Sequence, residues 1–389
     1  MANTYYTWMY KESDIKAVHF LLDTIESLRK YMPPPVTTYD ELKDGQNSSS
    51  WWIYYMWIAP GYKLVVGYDP RKVTPADVIQ YVDLSPGDVT LRVGQPFFMI
   101  PAIPTPQQPM QETCGFRCNQ YRPAIAGIDI FGCCEGCNCP PAGCTLGFIA
   151  NKAGTNGVVS ANHCIYGSVC NCFGFCCPYN RYVVQPSPLC GGACPSSVIA
   201  HDAITYDFGN GTWYVDAAFA PATQSVQYAV LDENGVIKTL PSTFSARDPT
   251  LGEPITKFGR GVFTFSTRQS TVQGIGASVT VCCSEFGGLC RQFADQIVSG
   301  PGYISPGDSG SGTYASDLSA AIGLNFAGDL ITGEGIMARS VLVEKYLGIS
   351  LAIPTVTPSL LAVLGATVAA VGLGIGIVMG STTPTGGGK

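Results

Sequence analysis

Charge is what this chain has least of. Asp, Glu, Lys and Arg together make up 13% of it, about half the usual share of about 25%. The formal net charge is −6. No Lys/Arg-rich run and no basic face with interleaved aromatics occurs, which excludes the electrostatic footprint of a nucleic-acid-binding protein. Histidine is scarce too, at three residues, so chemistry that needs an imidazole has few places to sit. The first ten residues hold no basic cluster, and Lys11, Glu12 and Asp14 interrupt before an apolar core can form. Met1 to Tyr10 therefore does not read as a secretory signal. Helical periodicity is nearly absent from about 110 to Ser340, which speaks against a helical bundle there.

Turns, apolar residues and cysteine are plentiful. Glycine and proline number 45 and 28, a balance that favours many short strands over long helices. Hydrophobic residues make up 46%, ample for a core. Cysteine is the strongest compositional signal: there are 17, and 14 of them fall between Cys114 and Cys194. Such density points to disulfides formed in an oxidising place, either extracellular or anchored at a membrane. The rival is a metal cluster, because Cys133-Cys134, Cys137, Cys139 and Cys170, Cys172, Cys176-Cys177 contain CxxC and CxC spacings. Disulfides without metal are the preferred reading. The missing secretory signal sits awkwardly with it, and a hyperthermophile cytosol or a virus particle would reconcile the two.

The chain divides into an N-terminal α+β region at 1–104, a linker at 105–119, a β-rich region at 120–350 and a tail at 351–389. In the first region Ile15, Val18, Leu22, Ile25 and Leu28 follow one helical face, with Ser13 as a cap. Trp51 to Ala59 and Tyr62 to Tyr68 flank a Pro60-Gly61 turn and read as a hairpin. Thr74-Pro75 opens a second helix, and Val89 to Val93 reads as a strand. With Tyr5 to Tyr10 as a first strand, the order becomes a split βαβ, ferredoxin-like arrangement. Such a region suits a pro-region or an accessory domain. The prolines from Pro101 to Pro109 mark its end. The β-rich region has short strand-like runs such as Gly157 to Ala161, Trp213 to Ala220 and Ala320 to Phe326, the pattern of an all-β sandwich or barrel pair. In the tail, residues 360–380 carry no charge and are long enough to span a bilayer as a hydrophobic helix. Membrane attachment is therefore expected there, with the orientation and the oligomeric state left open.

Three residues carry the chemistry. His163 lies where the apolar run Gly157 to Ala161 ends, so an imidazole is delivered to a turn, as a general base requires. His19 lies among helical residues and His201 in a loop, both ordinary settings. Ser309 lies in Gly307-Asp308-Ser309-Gly310-Ser311-Gly312, whose glycines permit a tight turn. That turn would aim the N–H groups of Gly307 and Ser309 at one spot, as an oxyanion hole needs. The third member must be a carboxylate that orients the imidazole. Asp216, inside the apolar run Val215 to Ala220, is preferred over Asp202 and Asp207, because a lone acid there is costly without a partner.

The order His, Asp, Ser, with Ser160-Ala161-Asn162-His163-Cys164, Asp216-Ala217-Ala218-Phe219 and Gly307-Asp308-Ser309-Gly310-Ser311, resembles the chymotrypsin/trypsin-like serine peptidases of microbial type. The spacings of 53 and 93 residues suit that family, and Lys257-Phe-Gly-Arg260-Gly is similar to the start of its second barrel. The resemblance covers roughly 120 to 345. It implies a mainly β fold of two six-stranded antiparallel β-barrels with the triad between them, and a serine endopeptidase acting on protein or peptide substrates without a cofactor. It further implies a Cys144–Cys164 disulfide. Tyr303, six residues before the nucleophile, would form the base of the primary specificity pocket, and Asn325, Phe326 and Ala327 its wall. A tyrosine there cannot select Lys or Arg, so small or apolar side chains are expected. Two features depart from the family: Asn162 where alanine or glycine is usual, and the cysteine-rich insertions at 131–139 and 170–194. The rival readings are a catalytically inactive structural protein of a virion or surface that keeps the fold, and a cysteine-rich metal-binding module.

Overall fold

The computed structural model describes residues 12–44, 51–101, 115–134, 139, 141–166, 182–261, 268–284 and 287–354. The expected strand Tyr5 to Tyr10, most of the linker, Cys137, Cys170 to Cys177 and the 360–380 segment lie outside them. No helix among the described residues is long and apolar enough to cross a membrane.

The N-terminal helix runs Glu12–Leu28 and buries Val18, Leu21, Ile25 and Leu28, the spacing of one helical face. Strands Ile53–Ala59 and Lys63–Tyr68 form the expected antiparallel hairpin. Thr74 caps the helix Pro75–Val82: its hydroxyl accepts the Asp77 N–H, and the Asp77 carboxylate accepts the Thr74 N–H at 2.8 Å. Two otherwise orphaned donors are satisfied this way. Strand Val89–Val93 then lies parallel to and directly beside Lys63–Tyr68, from Leu64↔Val89 to Tyr68↔Val93. This is a plain βαβ crossover rather than the split one expected, because the register leaves no place between the two strands for another.

The other edge of the hairpin is taken by the long strand Arg268–Ser284, with Val279 opposite Tyr55. One sheet therefore runs from the N-terminal region into the β-rich region, and the chain through Ile353 makes a single compact unit. Within that sheet six strands pair in a ring, antiparallel at every step: Pro254–Phe258, Arg268–Ser284, Gly287–Ser299, Gly335–Arg339, Ala320–Gly328, Gly312–Ala315, and back to Pro254–Phe258. The preceding lobe is built from three short sheets. One pairs Phe148–Lys152, Thr155–Ser160 and Ala218–Pro221. A second pairs Cys144–Thr145, Asp129–Cys133, Tyr182–Val184 and Val198–His201. The third joins Ala124–Ala126 to Val226–Leu231. The architecture is mainly β in two lobes, and a shared apolar core containing Phe148, Phe219, Tyr314 and Phe326 runs through both.

Disulfides join Cys118 to Cys190, Cys133 to Cys139, Cys144 to Cys164 and Cys282 to Cys290. Cys134, Cys194 and Cys283 are also disulfide-bonded. Every described cysteine is thus consumed, which leaves no thiolate for a metal among the described residues and fits an oxidising compartment. The Cys144–Cys164 bond closes a span of 20 residues that contains His163. Replacing both cysteines with alanine should lower the unfolding free energy by about 3 kcal/mol, from the lost loop constraint alone. Urea unfolding measures this directly, and an unchanged midpoint would refute it.

Candidate active site

Each lobe delivers part of one hydrogen-bonded row. Strand Thr155–Ser160 ends at Ala161, which has extended backbone and precedes the single helical turn Asn162–Ile165. That turn presents the His163 ring. Asp216 stands two residues before strand Ala218–Pro221, which pairs with the histidine's own strand through Ser160↔Ala218. This register sets the carboxylate beside the turn. Asp216 Oδ2 bonds His163 Nδ1, and Asp216 Oδ1 accepts the His163 backbone N–H at 3.3 Å. The acid therefore fixes both the ring and the backbone that carries it. From the other lobe, Ser309 Oγ lies 2.7 Å from His163 Nε2. All three residues are buried, Ser309 completely. The two alternative acids, Asp202 and Asp207, are exposed, and Asp202 is engaged with His201 at the surface.

The loop around Ser309 is held by partners that no motif announced. Gly307 and Gly310 have φ of +99° and +82°, a region open to glycine and strained for other residues. A Cβ on Gly310 would also collide with the Ser160 hydroxyl and the Thr145 carbonyl. Thr145 clamps the loop from the first lobe: its hydroxyl donates to the Gly307 carbonyl at 2.8 Å, and its N–H donates to the Ser309 carbonyl at 2.8 Å. The same hydroxyl accepts the Arg260 N–H at 3.0 Å. Arg260 in turn pairs with Asp129, and both are fully buried. Burial pushes the Asp129 carboxyl upward, against the pull of Arg260 and of the Ser187 N–H.

Asp308, between Gly307 and Ser309, is fully buried and paired with the equally buried Lys257. Its Oδ2 also accepts the Ser305 N–H at 3.0 Å, and its Oδ1 accepts the Gly261 N–H at 3.0 Å. The Lys257 ammonium also donates to the Tyr303 carbonyl. The Asp308–Lys257 pair thus ties together the turn before Ser309, residue 303 and the end of strand Pro254–Phe258.

The residues expected to shape the pocket divide in their placement. Tyr303 is buried, with its hydroxyl 2.9 Å from Thr313 Oγ1. Burial pushes that phenol upward, so it stays neutral. Asn325 turns its amide away to Ser311 and Thr313, at 2.9–3.1 Å, and supports the loop from beneath. Phe326 packs its ring on Phe293, with centroids 4.7 Å apart, while its carbonyl lies 3.3 Å from Ser309 Oγ. Ala327 pairs with Met99.

No protein-family model and no curated protein sequence matches the chain. Solved structures similar to it include a glutamic-acid-specific serine protease described as using a histidine triad in substrate binding, at 19% identity and a TM-score of 0.42 over 59% of this chain and 100% of that one. Protease A of Thermobifida fusca is similar at 18% identity and a TM-score of 0.39, over 59% of this chain and 98% of that one. A Nocardiopsis protease is similar at 17% identity and a TM-score of 0.39, again over 59% and 98%.

Proposed function

We propose that this chain is a serine endopeptidase. The observation that carries the reading is the buried row Asp216–His163–Ser309, with the acid at Nδ1 and the hydroxyl 2.7 Å from Nε2. In that arrangement the imidazole has one nitrogen committed to a carboxylate and the other free to take the serine proton. Ser309 attacks a peptide carbonyl while His163 removes its proton, and Asp216 stabilises the imidazolium that forms. The N–H groups of Gly307 and Ser309 stabilise the oxyanion. His163 then protonates the leaving amine, and water, activated by the same imidazole, releases the acyl group. The three side chains and the loop N–H groups suffice for each step. A neutral Tyr303 at the proposed pocket base, in one apolar cluster with Ile304 and Met337, suits small or apolar side chains in the substrate.

Fluorophosphonate labelling tests this. The reagent reacts irreversibly, so even a site that opens rarely accumulates label. The folded chain should label at Ser309, and Ser309→Ala should remove the label. A folded chain that stays unlabelled over a day, with a variant at Ile100, whose N–H donates to Ser309 Oγ at 3.2 Å, equally unlabelled, would leave the inactive structural reading in its place.

A further inference from the structure

The chain's own residues Phe97 to Pro101 lie across the catalytic row. Strand Phe97–Met99 is antiparallel to Ala320–Gly328, with Met99 opposite Ala327 and Phe98 opposite Gly328. On its other side it runs parallel to Arg268–Ser284, through Phe97↔Val281 and Phe98↔Cys282. Past its end, the Ile100 carbonyl accepts the Gly307 N–H at 2.6 Å, and the Ile100 N–H donates to Ser309 Oγ at 3.2 Å. The carbonyl thus occupies one of the two N–H groups that the proposed mechanism assigns to the oxyanion, and the N–H of the same residue holds the Ser309 hydroxyl. Ile100 is 1% exposed, and its side chain belongs to one apolar cluster with Tyr303, Ile304 and Met337. It also lines a cavity of about 450 Å3 with Ile304, Ser305 and Pro306.

We propose that this segment is a built-in substrate mimic, which names the substrate class of the site and keeps the uncut chain latent. The inference rests on the peptidase reading above. An extended strand ending in an aliphatic residue, its carbonyl on the Gly307 N–H, is the pose of a peptide about to be cleaved after that residue. The substrates of the opened site are therefore apolar extended peptides with Ile, Val or Leu at the carbonyl that is attacked. Two features hold the mimic uncut. Pro101 follows Ile100, so a ring crowds the nitrogen that His163 would have to protonate. Strand pairing along both edges keeps the segment seated.

The test uses the full-length chain and Ile100→Asp, which sets a carboxylate in the apolar pocket and leaves the triad untouched. Fluorophosphonate labelling and hydrolysis of acetyl-Phe-Phe-Met-Xaa-nitroanilides are measured for Xaa of Ile, Val, Leu, Phe, Lys and Glu. Labelling at Ser309 should accelerate about 10- to 100-fold in the variant, the equivalent of unseating one buried aliphatic side chain. Ile, Val and Leu substrates should exceed Lys and Glu by about 100-fold, since an apolar pocket rejects unpaired charge. Equal labelling rates in the two proteins would overturn the latch. Faster labelling without aliphatic preference would overturn the substrate class. Absence of label in both folded proteins would instead overturn the peptidase reading beneath them. If Ile100→Asp fails to fold, Ile100→Gly removes only the anchor and must still accelerate labelling, and no acceleration there overturns the latch.

Discussion

Ser309→Ala, made on the Ile100→Asp background so that the site is open, should lower kcat by about 10^6-fold while leaving the fold intact. The magnitude follows from how the row is wired. Ser309 Oγ has His163 Nε2 at 2.7 Å, and that ring has Asp216 on its other nitrogen. On the peptidase reading the three side chains act as one unit, so that removing the Ser309 hydroxyl idles the other two. His163→Ala should cost a comparable factor, and the double variant should cost no more than either single one. What remains would come from substrate binding and the N–H groups of the loop, which neither substitution touches. Steady-state hydrolysis of the best nitroanilide, with circular dichroism to verify folding, gives the numbers. A loss under tenfold for Ser309→Ala would mean that another group attacks the carbonyl. Multiplicative losses in the double variant would mean that serine and histidine work separately.

The residues of the row were legible in the sequence because their constraints are local. A tight glycine-flanked turn around Ser309 and an apolar run ending at His163 each follow from a few adjacent residues. Asp216 was legible through cost, since an acid amid Val215, Ala217 and Ala218 needs a partner to be buried at all. The hairpin and the capped helix after Thr74 were legible for the same local reason. The supports of the loop around Ser309 were not. Thr145 stands in a two-residue strand with no pattern of its own, and its clamp on Gly307 spans 162 positions. Lys257 was visible only as part of a stretch similar to the start of a second barrel, and nothing adjacent marks Asp308 as its partner. Asn325 was expected on the pocket wall, but strand alternation does not reveal that Ser311 and Thr313 already claim its amide. The position of Ile100 was the least legible. Pro101 to Pro109 marked a boundary between regions, whereas strand Phe97–Met99 gains its place only from pairing with residues roughly 180 and 230 positions later. Non-local pairing of this kind leaves little trace in composition or period.

Lys257→Met should destabilise the protein by about 3–5 kcal/mol, because it removes the ammonium paired directly with a buried carboxylate. Lys257 and Asp308 are both fully buried, so water cannot stand in for the lost ammonium. The N–H groups that remain on Asp308, those of Ser305 and Gly261 among them, each 3.0 Å away, offset only part of the cost. Set against a total stability of about 5–15 kcal/mol for a typical fold, one such change brings the chain close to unfolding. Adding Asp308→Asn to Lys257→Met removes the stranded charge, so the double variant should be more stable than Lys257→Met alone. That inversion separates an electrostatic loss from a packing loss, since a packing loss would deepen with the second substitution. Urea unfolding of the wild type, both single variants and the double variant measures the coupling. A cost below about 1 kcal/mol for Lys257→Met, or a double variant less stable than it, would sink the argument. Catalysis should not recover with stability. Asp308 lies between Gly307, whose N–H would meet the carbonyl under attack in the proposed mechanism, and Ser309, which would attack it. An amide there keeps an acceptor for one N–H but loses its hold on the other, whether Ser305 in the turn or Gly261 beyond strand Pro254–Phe258. A double variant that folds well and turns over slowly would show that the buried pair is retained for the geometry of residues 307 to 309, at a cost in stability that an uncharged turn would avoid.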